Sequence, residues 1–343
     1  MNVLSANQQL GMIPRDESGI EIKYDSKKIN TYKIVKDGDY VIHLRSFQGG
    51  FAFSSLDGIC SPAYTILRPN SKFLCYSFLK EYFVSSRFIK SLKLVTFGLR
   101  DGKSIDVDLW FQTEFRIPSL NEQEKIIVFI NTIQKKINII KDKLNVLKKY
   151  KEGMVKVHSR TCIKKALRDI LSEENLKTKV NNQYEILSST ANGLFSQKEY
   201  FNHQVASENN IGYKIIKRGQ LLFSPQNLWL GNINLNKEFE VGIVSPSYKI
   251  YNIDNSVNST WLISTLKSPK LLYTYKLVSE QGASVVRRNL NLNQFLNITI
   301  VVPSNNEQIG NAISIIESKI DMLNSQLNTL EKMKVNLLNS MFI

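Results

Sequence analysis

The string GICSPAY at Gly58–Tyr64 returns as GIVSPSY at Gly242–Tyr248, and it is not alone. YKIVKDGDYVIH (Tyr32–His43) faces YKIIKRGQLLFS (Tyr213–Ser224), and FRIPSLNEQ (Phe115–Gln123) faces IVVPSNNEQ (Ile300–Gln308). INIIKDKLNVLKKYK (Ile137–Lys151) faces IDMLNSQLNTLEKMK (Ile320–Lys334). The blocks keep their order, and their offset stays between 181 and 185 residues. Solenoid arrays repeat at much shorter periods. The chain therefore reads as a tandem duplication, and whatever the first half folds into, the second half folds into as well.

Each half reads as a β-rich block followed by one long helix. GDYVIHL and GQLLFS are short β-prone runs bounded by glycine, while FRIP and ITIVVP end in proline. Helical pieces such as Phe73–Ser86 and Thr260–Leu277 lie between them, giving an α+β globule per half. After Pro118 and after Pro303 the period changes. Ser119 with Glu122, and Ser304 with Glu307, have the S-x-x-E spacing of a capping box. Apolar residues then recur at alternating steps of four and three. The first seam runs through Ile130, Ile133, Ile137, Ile140, Leu144 and Leu147. The second runs through Ile313, Ile316, Ile320, Leu323, Leu327 and Leu330. That narrow stripe predicts a coiled coil rather than a helix sunk in a globular core. Lys151 and Lys334 interrupt the seams at equivalent places, either snorkelling at an end or fixing the register.

Connectivity sets the direction of pairing. The first helix delivers the chain to the second globule, where the second helix begins, so full-length pairing requires them to run antiparallel. The expected arrangement is pseudo-two-fold, with a spacer of roughly 43 Å at about 1.5 Å per residue. That length is compatible with DNA half-sites about 34 Å apart.

The net charge of +15 points to a polyanionic partner or to a solvated lysine-rich surface. Three cysteines without a C-x-x-C pair and three scattered histidines argue against a disulfide framework or a zinc site. No apolar run reaches membrane-spanning length, and no secretory signal is read at the start, so the cytoplasm is the expected compartment. GLRDGKS (Gly98–Ser104) has one residue too few between its glycines for a phosphate-binding loop. Asp16, Glu21 and Lys23 could be imagined as a nuclease metal site but have no second copy. No nucleophile with a plausible base stands out, so no catalytic residue and no metal ligand is assigned.

PSLNEQEKIIVFINTIQKKINIIKDKLNVLKKYKEGM and its second copy resemble the two conserved regions of specificity subunits of type I restriction–modification systems. The stretch from Tyr32 to Pro69 resembles their target recognition domains, and the likeness covers nearly the whole chain. It implies two target recognition domains in tandem, each followed by a long helix, with the helices paired as an antiparallel coiled coil. On this reading residues 1–118 form the first recognition domain and 119–157 the central spacer helix. Residues 158–303 form the second recognition domain and 304–343 the C-terminal spacer helix. The resemblance further implies a non-catalytic subunit that reads a bipartite double-stranded DNA site. It would recruit two adenine methyltransferase (modification) subunits and the restriction/translocase subunits. S-adenosylmethionine, ATP and Mg²⁺ would then belong to those partners. One departure stands out: Leu187 aligns with Leu4, so the first half lacks roughly 20 residues that precede this point in the second. A truncated or silent allele serving as a recombination donor is therefore one alternative. A coiled-coil scaffold with basic RNA- or protein-binding globules is another.

Base edges are read by Arg on guanine and by Gln or Asn on adenine. Two loop pairs carry such residues at equivalent places in the halves. The first pair, Leu44–Gly50 and Ser224–Asn232, supplies Arg45, Gln48, Gln226 and Asn227. The second, just before the capping prolines, supplies Arg100 and Lys103 in one half and Arg287, Arg288 and Asn289 in the other. For each residue alone, a surface ion pair or a loop anchor is the competing reading. The repeated S-P-A/S-Y reads as a structural turn with its tyrosine packed inward.

Overall fold

The computed structural model describes residues 2–7, 10–19, 26–98, 102–114, 117–156, 161–200, 209–281 and 287–341. It divides into two compact units, Met1–Asp142 with Ser325–Ile343, and Lys143–Asn324.

In the first unit an antiparallel hairpin, Leu4–Asn7 with Gly11–Pro14, precedes the strand Lys33–Val35, which pairs with Gly58–Cys60. Tyr40–Ile42 is the middle strand of a three-stranded sheet between Ala52–Phe53 and Thr65–Leu67. Helices Tyr76–Phe83 and Ser86–Ser91 follow, then the hairpin Thr96–Phe97/Ser104–Ile105 and the short helix Val107–Phe111. The second unit has the same order of elements. Leu187–Thr190 pairs with Gly193–Ser196, and Lys214–Lys217 with Val241–Val244. Leu221–Phe223 lies between Ile233–Leu235 and Lys249–Ile253. Helices Ser259–Leu266 and Pro269–Leu277, the hairpin Ser279–Gln281/Arg288–Leu290 and helix Leu292–Leu296 complete the copy. The piece read from sequence as one helical stretch, Thr260–Leu277, breaks at Ser268. Pro269 forces the residue before it out of the helical region, and Ser268 sits at φ −66°, ψ 146°.

Two further strands precede the opening hairpin of the second unit. Cys162–Ala166 pairs antiparallel with Thr299–Pro303, and Leu171–Glu174 lines the outer edge of Lys249–Ile253.

The repeated string is explained by a close approach. Gly58 pairs with Val35, and Gly242 with Ile216, in matching registers. A Cβ on Gly58 would stand 2.6 Å from the Asn2 carbonyl oxygen and 2.7 Å from Leu4 Cγ. On Gly242 it would stand 2.3 Å from Leu187 Cδ1. In each unit the leucine of the opening hairpin lies directly on the glycine. The turns that follow close through Tyr64 N–H to Ser61 O and Tyr248 N–H to Ser245 O, both 3.1 Å. Tyr64 and Tyr248 then pack on the small cores that hold Leu4 and Leu187.

A second device survives with different chemistry. Buried Asp39 accepts two hydrogen bonds from the Arg68 guanidinium, at 2.7 Å each, and one from Lys36 N–H. At the equivalent places Gln220 accepts from Lys217 N–H at 2.7 Å and donates to Asn252 Oδ1 at 2.8 Å. A charged pair and an amide pair join the same two strands.

The main core of the first unit is aromatic. The Phe51 ring centroid lies 4.9 Å from those of Phe83, Phe88 and Trp110. Ile127 and Ile130 at the start of the long helix Leu120–Lys156 enter this core. In the second unit Phe223, Tyr251, Trp261, Tyr275 and Phe295 form the core, and Ile309 and Ile313 of the helix Asn306–Met341 enter it. Burial of each helix start fixes the direction in which it leaves its globule.

The two long helices pack against each other and run antiparallel. In the first unit Lys334 Nζ meets Gln134 Oε1 at 2.9 Å and Lys141 meets Glu331 at 2.9 Å, so one helix rises in number as the other falls. Leu337 and Leu338 reach the first core. In the second unit Lys151 Nζ meets Glu317 Oε1 at 2.5 Å, and Met154 and Val155 reach the second core. The seam residues Ile130, Ile133, Ile137, Leu144, Ile313, Ile316 and Leu323 are buried; Ile140, Leu147, Ile320, Leu327 and Leu330 are half-buried. The two seam lysines are register contacts: each pairs with the residue on the other helix that the duplication makes equivalent.

The helix starts differ. Ser119 donates its N–H (2.9 Å) and its hydroxyl (2.6 Å) to Glu122, and these bonds hold the Glu122 carboxyl below its usual range. At the second start Ser304 Oγ lies 2.8 Å from Thr161 Oγ1, while Glu307 accepts from Asn258 Nδ2 at 3.1 Å. Those partners come from the strand segment and from the cap of helix Ser259–Leu266.

Gly242→Ala is expected to destabilise the chain by about 1–3 kcal/mol through overpacking. Leu187→Ala should cost less stability in that background than in the parent chain, as a denaturant titration of the double-mutant cycle would show. For Gly58→Ala and Leu4→Ala the coupling should be smaller, because the Asn2 carbonyl remains 2.6 Å from the added Cβ.

Candidate nucleic-acid interface

The loop after the central strand of the second unit is held on all sides. Asn227 N–H donates to Ser224 O at 3.1 Å, Leu230 N–H to Asn227 O at 3.0 Å, and Ser224 N–H to Asn232 O at 3.2 Å. Gly231, at φ +88°, turns the chain back where other residues would be strained. Asn232 is fixed in turn: its Oδ1 accepts from Ser189 Oγ at 2.6 Å and its Nδ2 donates to Ser189 O at 3.0 Å.

The second predicted loop meets the first. Arg288 N–H donates to Gln226 O at 3.1 Å, so the end of the hairpin strand is tied directly to the loop. The Arg288 guanidinium is engaged inside the unit. Its Nε donates to Ser279 Oγ at 2.9 Å, an Nη donates to Ser279 O at 2.8 Å, and the group stands 6.0 Å from the Trp229 ring centre. In this structure Arg288 is an anchor. Arg287 and Asn289 on either side of it are exposed, as is Gln226, whereas Asn227 is half-buried with its side-chain oxygen unpartnered.

The first unit repeats the juxtaposition. Arg45 and Gln48 are exposed on the helical turn Ser46–Gly49, which packs beside the strand Ser104–Ile105. Exposed Lys103 leads into that strand; Arg100 lies outside the described residues. The turn is pinned by Ser46 Oγ, which accepts from His43 N–H at 2.8 Å, and by Gly50. At φ +84°, Gly50 lies so close to helix Tyr76–Phe83 that a Cβ would collide with the Phe83 carbonyl oxygen at 1.9 Å.

His43 completes the pinning. Its Nδ1 accepts from Arg45 N–H at 3.3 Å, which requires a neutral ring nitrogen there, and burial pushes the imidazole down to about 4. Sequence alone missed Lys276, whose Nζ stands 5.9 Å from the Trp229 ring centre. Nothing in the spacing of helix Pro269–Leu277 marks that lysine; only its packing on Trp229 brings it to the loops. Among the described residues, no group of three or more His, Cys, Asp or Glu side chains converges as a metal site would require, and no helix is long and apolar enough to cross a membrane.

No family model and no curated protein sequence matches the chain. Solved structures do. The type I restriction–modification system S subunit from M. genitalium superposes with a TM-score of 0.54 at 12% identity, over 91% of this chain and 84% of that one. A chain from a structure describing complex assembly and conformational transition of the type I R-M system gives 0.52 at 15%, over 90% and 83%. The chain has the S-subunit fold. Within that fold the paired loops occupy equivalent places in the two units.

His43 makes the first of these loop pairs sensitive to acid. Its folded-state value lies below the unfolded value of about 6.5, so the unfolded chain takes up the proton first as pH falls. Stability is full above that range and declines towards pH 4, by about 3 kcal/mol. His43→Gln should flatten this part of the dependence of melting temperature on pH, leaving the rest unchanged.

Proposed function

We propose that this chain is the DNA-reading specificity subunit of a type I restriction–modification complex, each unit reading one word of a bipartite site. The observation that carries the reading is the convergence, in both units of an S-subunit fold, of two loops bearing exposed Arg, Lys, Gln and Asn. The first recognition domain is residues 1–118 and the second 158–303, with 119–157 and 304–343 as the helices that join them. The net charge of +15 supports a phosphate-backbone partner.

The roles follow from exposure and engagement. Gln226, Arg287 and Asn289 in the second unit, and Arg45, Gln48 and Lys103 in the first, are free to meet base edges or phosphates. Arg288 positions them by tying the hairpin to Ser279 and Trp229. The chain itself performs no chemistry. Methyltransferase subunits would bring S-adenosylmethionine, and translocase/endonuclease subunits would bring ATP and Mg²⁺.

Mapping methylated adenines in cells that carry the chain with its methyltransferase tests the reading. The expected pattern is two short words separated by a fixed non-specific gap. One uninterrupted word, or no methylation dependent on this chain, would contradict it. Arg287→Ala is expected to relax the pattern in one word only, with a loss of about 1–3 kcal/mol in discrimination. An equal loss on every duplex, with a shallower salt dependence, would assign Arg287 to the backbone.

A further inference from the structure

The duplication offers an internal control for sites that differ between the units, and one difference is chemical. In the second unit a cavity of about 610 Å³ opens where helices Ser259–Leu266 and Pro269–Leu277 meet the paired long helices. Its wall carries Lys148, Lys151, Lys156 and Lys267 against three carboxylates. One of these, Glu317, is already held by Lys151 at 2.5 Å and by Lys237 at 2.7 Å. Burial acts to raise the Glu317 carboxyl, but the two ammoniums outweigh it and hold it below the usual range.

Lys267 donates to Asn234 Oδ1 at 2.8 Å and to Ala191 O at 3.1 Å. Among the described residues these two acceptors leave one of its three N–H donors unused. Burial, with Lys151 and Lys237 nearby, lowers this ammonium to about 8. Ser264, also on the wall, has a buried hydroxyl with no partner. The helix Pro269–Leu277 begins at the same cavity with no side-chain cap on its first turn. Its free N–H groups add a partial positive charge.

The equivalent place in the first unit carries different groups. Glu81 stands where the second unit has Ser264, and Val84 where it has Lys267. Lys334 lies 3.8 Å from Glu81, and the helix that matches Pro269–Leu277 is capped by Ser85, whose Oγ accepts from Phe88 N–H at 3.2 Å. The same backbone therefore carries a cavity of about 270 Å³ lined by Glu81, Val84 and Lys334 in the first unit, and one of about 610 Å³ lined by Ser264, Lys267 and Lys151 in the second.

The geometry points to a phosphate-binding site in the second unit, formed by Lys267, Ser264 and the first turn of helix Pro269–Leu277, with Lys151 beside it. An unused ammonium donor, an unpartnered hydroxyl and an uncapped helix start supply together the donors that a tetrahedral anion accepts. The phosphate is one on a DNA backbone or a free anion; the chemistry is shared, and the site goes beyond base reading.

The test uses the full chain and two variants that carry the first unit's residues, Lys267→Val and Ser264→Glu. Calorimetric titration with inorganic pyrophosphate should show binding weakened about tenfold or more in each variant. Duplex binding across a salt series separates the sources. A slope of log affinity against log salt reduced by about one in Lys267→Val assigns the phosphate to DNA. An unchanged slope with lost pyrophosphate binding assigns the site to a free anion. Equal pyrophosphate binding by all three chains, or none by any of them with an unchanged slope, overturns the proposal. Circular dichroism of both variants checks that they are folded, and a folded Ser264→Glu keeps the test open if Lys267→Val is not.

Discussion

The antiparallel pairing of the two long helices is the contact on which everything else rests. A heptad seam of isoleucine and leucine buries apolar surface wherever two such helices meet, but it does not choose a direction well. Connectivity sets the direction, and the polar contacts set the register. Lys151 reaches Glu317 and Lys334 reaches Gln134, and these two contacts are the same contact under the duplication. An ammonium in a half-buried seam needs an acceptor, and a shifted or reversed register would leave it without one. The lysines interrupt the apolar stripe and in doing so define it.

A duplicated chain also shows which of its features are demanded by the backbone. Gly58 and Gly242 stay glycine because a leucine lies on each of them. The tie between the strands containing Asp39 and Arg68 is kept as Gln220 and Asn252, so the requirement there is a hydrogen-bonded bridge rather than a charge. Where the backbone makes no demand the halves have diverged. Glu81 and Val84 against Ser264 and Lys267 is one such place; the loops with Arg45 and Gln226 are another. Divergence of exposed loops on a shared frame gives two modules the freedom to read different partners.

Much of this was legible in the sequence. The repeat gave the two copies, the change of period located both long helices, and connectivity gave their direction. Both loop pairs fell at equivalent places because a loop following a β-run can be located from its flanks. What could not be read depended on residues far apart in the chain. Arg288 looks like a base reader until Ser279 and Trp229 occupy its guanidinium. The two S-x-x-E spacings look alike until Thr161 and Asn258, contributed by other elements, meet Ser304 and Glu307. The break at Ser268 could have been found from Pro269 alone, since proline constrains the residue before it.

Thiol cross-linking tests the helix pairing most directly. With Cys60, Cys75 and Cys162 replaced, cysteine pairs at positions 141/331 and 151/317 should be joined by a short bis-maleimide within one chain. Pairs at 151/334 and 134/317, which would face each other if the helices ran parallel, should not, since 17 residues of helix put each about 25 Å out of step. Efficient cross-linking of the second set and none of the first would contradict the account.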